Sequence, residues 1–562
     1  MPKHTDRVRI EEVDWQAVFP WLRLLGSFKM AMSPGKLLTS LLLIVLLYVA
    51  GQTLDLVLAS KARFTDITQY RHVQSGDLPA EKFSEQLKAQ HEADLLSLRQ
   101  LLANTSGLEV DIDAILSSKD PHSQVSAALH DHYTKAYALK ELEREQAKSQ
   151  EEWQTQLRAI RIERERSLRL VEGQRPIGAF DASLKFTIDS MNRFVRAVVG
   201  FNSGLTQMTA AAPVHDAMET GRVSLPQPAP MDLDPALYYY DQTTALAALR
   251  DLLVVLPCWL WHHHTAMLVA FVLVALILTA VFGGAVARMA ALHATRDDRA
   301  SLRESLRYVL PRWWSFLLTP LVPLLLIGSV AMLMGLGGMV FFNLSGTGID
   351  IVAAMLFVVA ILCGLIIMAT ILLSAAGIHL VYPATAVNGS DLFDAIARAF
   401  NYVLNRPWRW LFYNAIALVQ GCVMYLVLTL MLGIAIWAVQ QFVGMWVFTS
   451  TDLGSGRFET ILPASEAARF SYAVDYAALD WSGKIAAFLI RIWMFLTIAL
   501  LPAFVISYYF CANTWTYILL RRDADGIEFE DVMIDPPFDP NAPRAKDPID
   551  DEPAKSDPDD AD

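Results

Sequence analysis

A chain of 562 residues, 54% of them hydrophobic and with a mean hydropathy of +0.34, holds more apolar surface than a soluble fold of this length can bury, so part of it must face lipid. The formal net charge of -12 excludes a nucleic-acid binder, which needs a concentrated basic surface. The four cysteines, Cys258, Cys363, Cys422 and Cys511, lie in or beside apolar runs without CxxC spacing, so they read as small core residues and fit either redox compartment.

In chain order, residues 1–36 form an N-terminal segment in which DWQAVFPWLRLLGSFKMAM reads as an apolar-faced helix, followed by Ser33-Pro34. Residues 37–58 are the first of six runs that meet or approach the ~20 apolar residues needed to cross the hydrocarbon. A cleaved signal peptide is the alternative for this run, but the 36 residues before it are too long for a typical n-region. Residues 61–262 form a water-exposed, mainly helical insertion. Within it, the mixed charge from Lys140 to Arg169, with Trp153, Leu157 and Ile160 at i, i+4 and i+7, predicts an exposed helix with a narrow apolar seam. A second helix carries Leu184, Ile188, Met191, Val195 and Val198 on one face, which needs the preceding helix, another subunit or the outer leaflet as partner. SLPQPAPMDLDP at 224–235 is a proline-punctuated linker leading back to the membrane.

His262-His263-His264 follows, where the chain re-enters the bilayer beside Trp259 and Trp261. Three imidazoles raise the question of a metal. Consecutive helical residues fan out by about 100° each, so the three cannot converge on one ion, and they read as interfacial padding. The remaining runs, at 265–290, 316–342, 350–378, 409–439 and 486–518, make a five-span bundle over 264–520 with an outside loop at 444–483. All must be helical, because lipid offers no partner to an unpaired backbone group. Gly283-Gly284 and Gly335, Gly337 and Gly338 are expected to let spans approach closely. Asp55 and Arg491 lie near the outer ends of their spans and can snorkel, and Gln420 lies deeper as one uncharged amide. Residues 521–562, rich in Asp and Pro, predict an acidic disordered tail.

Lys29, Lys36, the arginines from Arg288 to Arg312, then Arg398, Arg406, Arg409 and Arg521-Arg522 all fall on one side of this arrangement, whereas NLSGTGID between spans three and four has no basic residue. By the bias of basic loops, both termini are cytoplasmic in a bacterial inner membrane and the insertion is outside.

The chain also resembles itself. Tyr308-Val309-Leu310-Pro311-Arg312-Trp313-Trp314 and Tyr402-Val403-Leu404-Asn405-Arg406-Pro407-Trp408 match at five of seven positions, each closing an amphipathic segment before a span. Arg312, Trp314, Arg406 and Trp408 are therefore candidates for lipid headgroups, the indole resting at the interface and the guanidinium reaching phosphate.

With GGAVARMAALHATRDDRASLRESLRYVLPRWWSF, VYPATAVNGSDLFDAIARAFNYVLNRPWRWLFY and SYYFCANTWTYILLRRDADGIEFEDV in view, the chain resembles a family of uncharacterised bacterial polytopic membrane proteins over most of 264–535 and, more loosely, 14–50. The helix ending in Arg and Trp before a span also resembles, more distantly, the membrane domain associated with glycerophosphodiester phosphodiesterases. Neither resemblance brings a catalytic residue or a cofactor.

The expected fold is all-α: a polytopic helical membrane protein of about six transmembrane helices in three pseudo-repeated units, each an interfacial helix plus a helical hairpin, with a helical extramembrane insertion. No GxSxG, HExxH, Walker loop or helix-opening GxGxxG stands in a supporting context, so no enzyme, cofactor or metal is expected. The favoured reading is a scaffold or assembly factor with membrane lipids as partners and a protein partner on the 61–262 insertion or the acidic tail. An oligomer is compatible with this. The alternatives are a transporter of a lipid or small solute built from pseudo-repeats and, last, a membrane-bound enzyme.

Overall fold

A computed structural model describes residues 19–58, 60–63, 66–68, 70, 80–105, 107–108, 110–118, 120–143, 150–200, 244–343, 349–447, 458, 461–462, 479–529 and 532–533. The predicted linker at 224–235, most of the 444–483 loop and the tail beyond Met533 lie outside these residues.

The protein is an all-α polytopic membrane protein. A 3-10 turn, Pro20–Gly26, leads to α1 (Ser27–Ala31) and then α2 (Pro34–Leu58). The strand β1 (Lys61–Ala62) precedes α3 (Ala80–Asn104), α4 (Ile112–Leu116), α5 (Pro121–Leu142) and α6 (Gln150–Gln174). After β2 (Ile177–Gly178) come α7 (Ala179–Val199), α8 (Ala245–Arg250), a π turn at Asp251–Val255, α9 (Leu256–His263), α10 (Thr265–Leu278), a second π turn at Thr279–Gly283 and α11 (Gly284–Arg296). The rest comprises α12 (Leu302–Val309), α13 (Trp313–Leu318), α14 (Leu321–Asn343), α15 (Ile349–Gly377), α16 (Val381–Asn388), α17 (Leu392–Asn405), α18 (Pro407–Gly444) and α19 (Trp481–Asp525).

Among the described residues seven helices are long and apolar enough to cross a membrane: Pro34–Leu58, Ala245–His263, Thr265–Arg296, Leu302–Val340, Ala354–Asn388, Pro407–Gly444 and Trp481–Asp525. Six contain the predicted runs to within a few residues. The seventh, Ala245–His263, lies in the stretch assigned to the insertion, because Arg250 and Asp251 interrupt its apolar run. The Asp251 charge is met within the fold by Arg193, 2.7 Å away. The single non-helical residue His264 (φ -138°, ψ 46°) joins this helix to α10.

The N-terminal apolar segment is not one helix in its described part, since Pro20 opens a 3-10 turn and α1 begins only at Ser27. The tail boundary also moves. Residues 521–525 complete α19, and the Met533 N–H donates to the Val387 carbonyl at 2.9 Å, so the chain turns back onto the bundle after Asp525.

The densest packing lies at one end, called here the basic end. There α11, α16 and the last turns of α19 bury Val286, Ala287, Ala291, Val381, Ala384, Ala386, Tyr517 and Leu520 together. Small residues let the backbones approach. A Cβ on Gly284 would stand 3.1 Å from Val309 and 3.3 Å from Phe316, and one on Gly283 would stand 2.7 Å from Phe510, as expected for packing glycines. Gly335, Gly337 and Gly338 differ: a Cβ there would meet nothing within 4 Å. The reason is that α14 and α15 pack chiefly on each other and join the rest near their basic ends, through α13, α17 and the turn at Ile378–Leu380. Leu325, Met332, Met355 and Leu372 on this hairpin are exposed, as lipid-facing residues are.

The three helical arms that run toward the basic end close alike. Asp297, Gly389 and Gly526, the residues after α11, α16 and α19, have φ of 54°, 66° and 69°, the left-handed conformation that ends a helix.

At the opposite end, β1 and β2 pair antiparallel, Lys61 with Gly178 and Ala62 with Ile177, and form a neck. Beyond it α3 to α6 make a head with its own core of Leu98, Leu102, Val125, Leu129, Tyr133 and Val171. The predicted seam holds, with Trp153, Leu157 and Ile160 packed against Tyr137. The helix α7 differs in part from expectation. Val195 is buried as predicted and Leu184 is partly so, but the face also takes Ala182, Phe186, Ser190 and Ala197, and Ile188 is 43% exposed. It packs against α8, the first π turn, α2 and α18 rather than against α6, so small residues face these close neighbours.

Candidate functional site at the basic end

The four predicted headgroup residues stand after two buried tyrosines. In α12, Ser301 caps the helix by accepting from the Glu304 N–H, and Tyr308 is buried with its hydroxyl donating 2.8 Å to the Thr385 carbonyl. Arg312 folds back, its guanidinium 4.4 Å over the Tyr308 ring and Nη1 donating 3.3 Å to the Tyr308 carbonyl. Trp313 and Trp314 lie 4.1 Å apart, with Trp314 57% exposed. In α17, Tyr402 is buried and donates to Asp525 of α19, and burial pushes its phenol pKa up.

Arg406 is exposed at the start of α18, beside an 82% exposed Trp408. Asp394, one acidic neighbour that could have held Arg406, is taken by Arg398 at 2.8 and 2.9 Å, and this hydrogen bonding holds its carboxyl below the usual range. Arg409 pairs with Asp523 at 2.6 Å. The candidates thus form two equivalent pairs on separate helices, not one pocket. If they hold anionic headgroups, Arg312→Ala with Arg406→Ala should fold normally and co-purify with less anionic lipid, at about 1 kcal/mol per cation near the surface. Unchanged bound lipid with a lower melting temperature would assign both to structural roles.

The main polar centre was not legible in the sequence. Arg288, expected among basic residues flanking the spans, is 4% exposed in α11. It donates 2.6 Å to the Ala386 carbonyl and 2.8 Å to the Met533 carbonyl, and its guanidinium lies 3.8 Å over Tyr308. Around it Asn388 donates to the Tyr517 hydroxyl at 2.5 Å, Tyr413 donates to Asp523 at 2.8 Å, and Phe529 receives Arg23 at 4.1 Å and Arg522 at 4.4 Å over its ring. One local signal existed: an arginine within GGAVARMAALHATR, a stretch otherwise small and apolar up to His293.

The other singled-out residues have separate partners. His262 Nδ1 lies 2.8 Å from the Cys258 carbonyl and 3.1 Å from the Tyr70 hydroxyl, His263 meets the edge of Tyr70, and His264 lies 4.9 Å from the Trp259 ring. Among the described residues no group of three or more His, Cys, Asp or Glu side chains is placed to hold a metal. Asp55 does not snorkel but accepts the Phe180 N–H through both oxygens at 3.0 Å, satisfying the first turn of α7. Gln420 donates 2.8 Å to the Leu25 carbonyl.

The chain matches no family model, no curated protein and no solved structure at a significant level of similarity.

Proposed function

We propose that the protein is a non-enzymatic membrane scaffold that presents its helical head to a protein partner, in a bacterial inner membrane with both termini cytoplasmic and the head outside. This requires six of the seven apolar helices to cross and Ala245–His263, whose end meets Tyr70, to stay on the outer side. Three units, each an interfacial helix plus a hairpin, would build its membrane part. The supporting observation is the separateness of the head: α3 to α6 make their principal contacts with one another and stand on a two-residue neck. Leu139, Leu142 and Ile162 are 63%, 81% and 66% exposed on it, apolar positions open to a partner.

The test is photocrosslinking in cells from Leu139 and Ile162 in the head, with Leu333 of α14 as the membrane control. A discrete protein adduct from the head positions, absent from Leu333, supports the reading. No adduct from either head position would defeat it. The proposed orientation is checked in parallel, since a cysteine at Ser118 should react with an impermeant thiol reagent in intact spheroplasts and one at Ser301 should not.

A second reading, transport of a lipid, draws on the α14–α15 hairpin. It meets the other spans near the basic end, leaving Val269, Val272, Leu273 and Ile277 of α10 partly exposed beyond that join. Movement of a labelled lipid between leaflets in proteoliposomes, lost when the hairpin is crosslinked to α10, would favour transport over scaffolding.

A further inference from the structure

Each strand of the neck is tied to the head by an arginine. Arg63, which follows β1, pairs with Asp94 of α3, and its Nη2 lies 3.3 Å from His91 Nδ1 on the same helix. Its backbone N–H donates 3.0 Å to Asp66 Oδ2. Arg175, between α6 and β2, pairs with Asp120 at 3.2 Å, and Asp120 also caps α5 by accepting the Ser123 N–H at 3.3 Å.

His122, in the first turn of α5, is only 3% exposed, and its Nε2 is buried with no hydrogen-bond partner among the described residues. The charged and titratable groups that bear on it come from every side of the joint: Arg63 after β1, His91 of α3, Asp120 ahead of α5 and Arg175 ahead of β2. Arg63 and Arg175 are permanent cations, and the carboxylate of Asp120 is already engaged by Arg175. A neutral ring fits this place. A protonated one would add a positive charge between two arginines, with Nε2 facing no acceptor.

Burial and then the Arg63 charge hold the His122 pKa below the ordinary imidazole value of 6.5. The closed joint therefore has the lower pKa, so its full strength is present above 6.5 and is lost as the pH falls below it. His91 is exposed and can turn its charge to water, whereas His122 cannot.

We propose that the joint between head and neck is a proton-sensitive hinge: a proton taken up by His122 in acid repels Arg63 and Arg175, loosens the ties of both strands, and frees the head to change its angle to the bundle. Ile67 and Tyr70, buried in one cluster with Trp259, are uncharged and keep the head attached. The hinge does not depend on the scaffold reading, since it concerns the posture of the head and not what binds there.

The full chain is purified in detergent with spin labels on Ser118→Cys in the head and Trp481→Cys at the start of α19, in a Cys258→Ser background. The distance between the labels is measured by pulsed electron resonance at about pH 8 and about pH 5, either side of the imidazole range. The parent should give a narrow distribution at the higher pH and a broad one at the lower, and return to narrow when the acid is neutralised. His122→Asn or His122→Phe, which cannot take up the proton, should stay narrow at both, and His91→Asn should respond as the parent does. A parent distribution that is the same at both pH values overturns the hinge, as do His122 variants that broaden in acid as much as the parent. Loss of the response in His91→Asn with its survival in the His122 variants would place the proton on the wrong ring. If both His122 variants are already broad at the higher pH, the ring serves packing alone and the hinge is not driven by a proton.

Discussion

Arg288→Ala is expected to be among the most damaging single substitutions in the membrane part, and to loosen the chain beyond Asp525 at the same time. The guanidinium donates to the Ala386 and Met533 carbonyls and lies over Tyr308, so its loss strips two buried acceptors of their partner and opens space in a close-packed core. Charge-assisted hydrogen bonds contribute about 1.5–3 kcal/mol each, which puts the cost of losing two at about 3–6 kcal/mol. The Met533 N–H to Val387 bond and the Arg23 and Arg522 contacts on Phe529 remain, so the segment is loosened, not released. Limited proteolysis should reveal new cleavage at 526–533 together with a lower melting temperature. Arg288→Lys should recover part of both, because an ammonium can reach one carbonyl but not span two. If Arg288→Ala leaves the proteolytic pattern of this segment intact, the contact is incidental.

Arg193→Ala should have a comparable effect at the other end. Arg193 bridges Asp251 at 2.7 Å and Asp189 at 3.1 Å, with Asp251 7% exposed and Asp189 44% exposed. Removing the arginine leaves the Asp251 carboxylate buried, a change of about 3–5 kcal/mol. Asp251→Ala should cost less, because Arg193 keeps Asp189 and water access. The double variant should be more stable than Arg193→Ala alone, since no unmatched charge is left behind. Unfolding of the three proteins in detergent measures this ordering. A double variant as damaged as the sum of the singles would mean that the pair does not couple.

The spans and the head's apolar seam were legible because each is a local property. Hydrophobic runs and i, i+4 spacing report directly on which surface must leave water. The centre at Arg288 was not, because its acceptors lie 98 and 245 residues away in the chain, and the one local signal, its small and apolar surroundings, does not say what it binds. The face of α7 was legible only in part, Val195 being buried and Ile188 exposed, for a related reason. Periodicity favoured the large residues Leu184 and Ile188, whereas close neighbours on both sides select Ala182, Ser190 and Ala197. Ala245–His263 was missed because a hydropathy reading penalises Arg250 and Asp251, while the fold matches Asp251 to a distant arginine. Of the candidate site, the repeated Arg and Trp positions were readable, but the engagement of Asp394 with Arg398, which leaves Arg406 without that neighbour, required the fold.

The neck also determines how a mechanical load on the head would reach the membrane. A pull on α3 to α6 reaches the membrane part through the two strands and, ahead of α3, through Ile67 and Tyr70, which are buried against Trp259. From β2 the force passes directly into α7, whose first turn is tied to α2 by Asp55, and β1 leads back to α2 itself. Both strands therefore lead to α2, and α7 passes part of the load on to α18. Gly178 makes this possible, because any side chain there would occupy the place of the Asp55 carboxylate. A partner tugging on the head would load α2, α10 and α18 together, and the α14–α15 hairpin would feel the pull through the packed basic end.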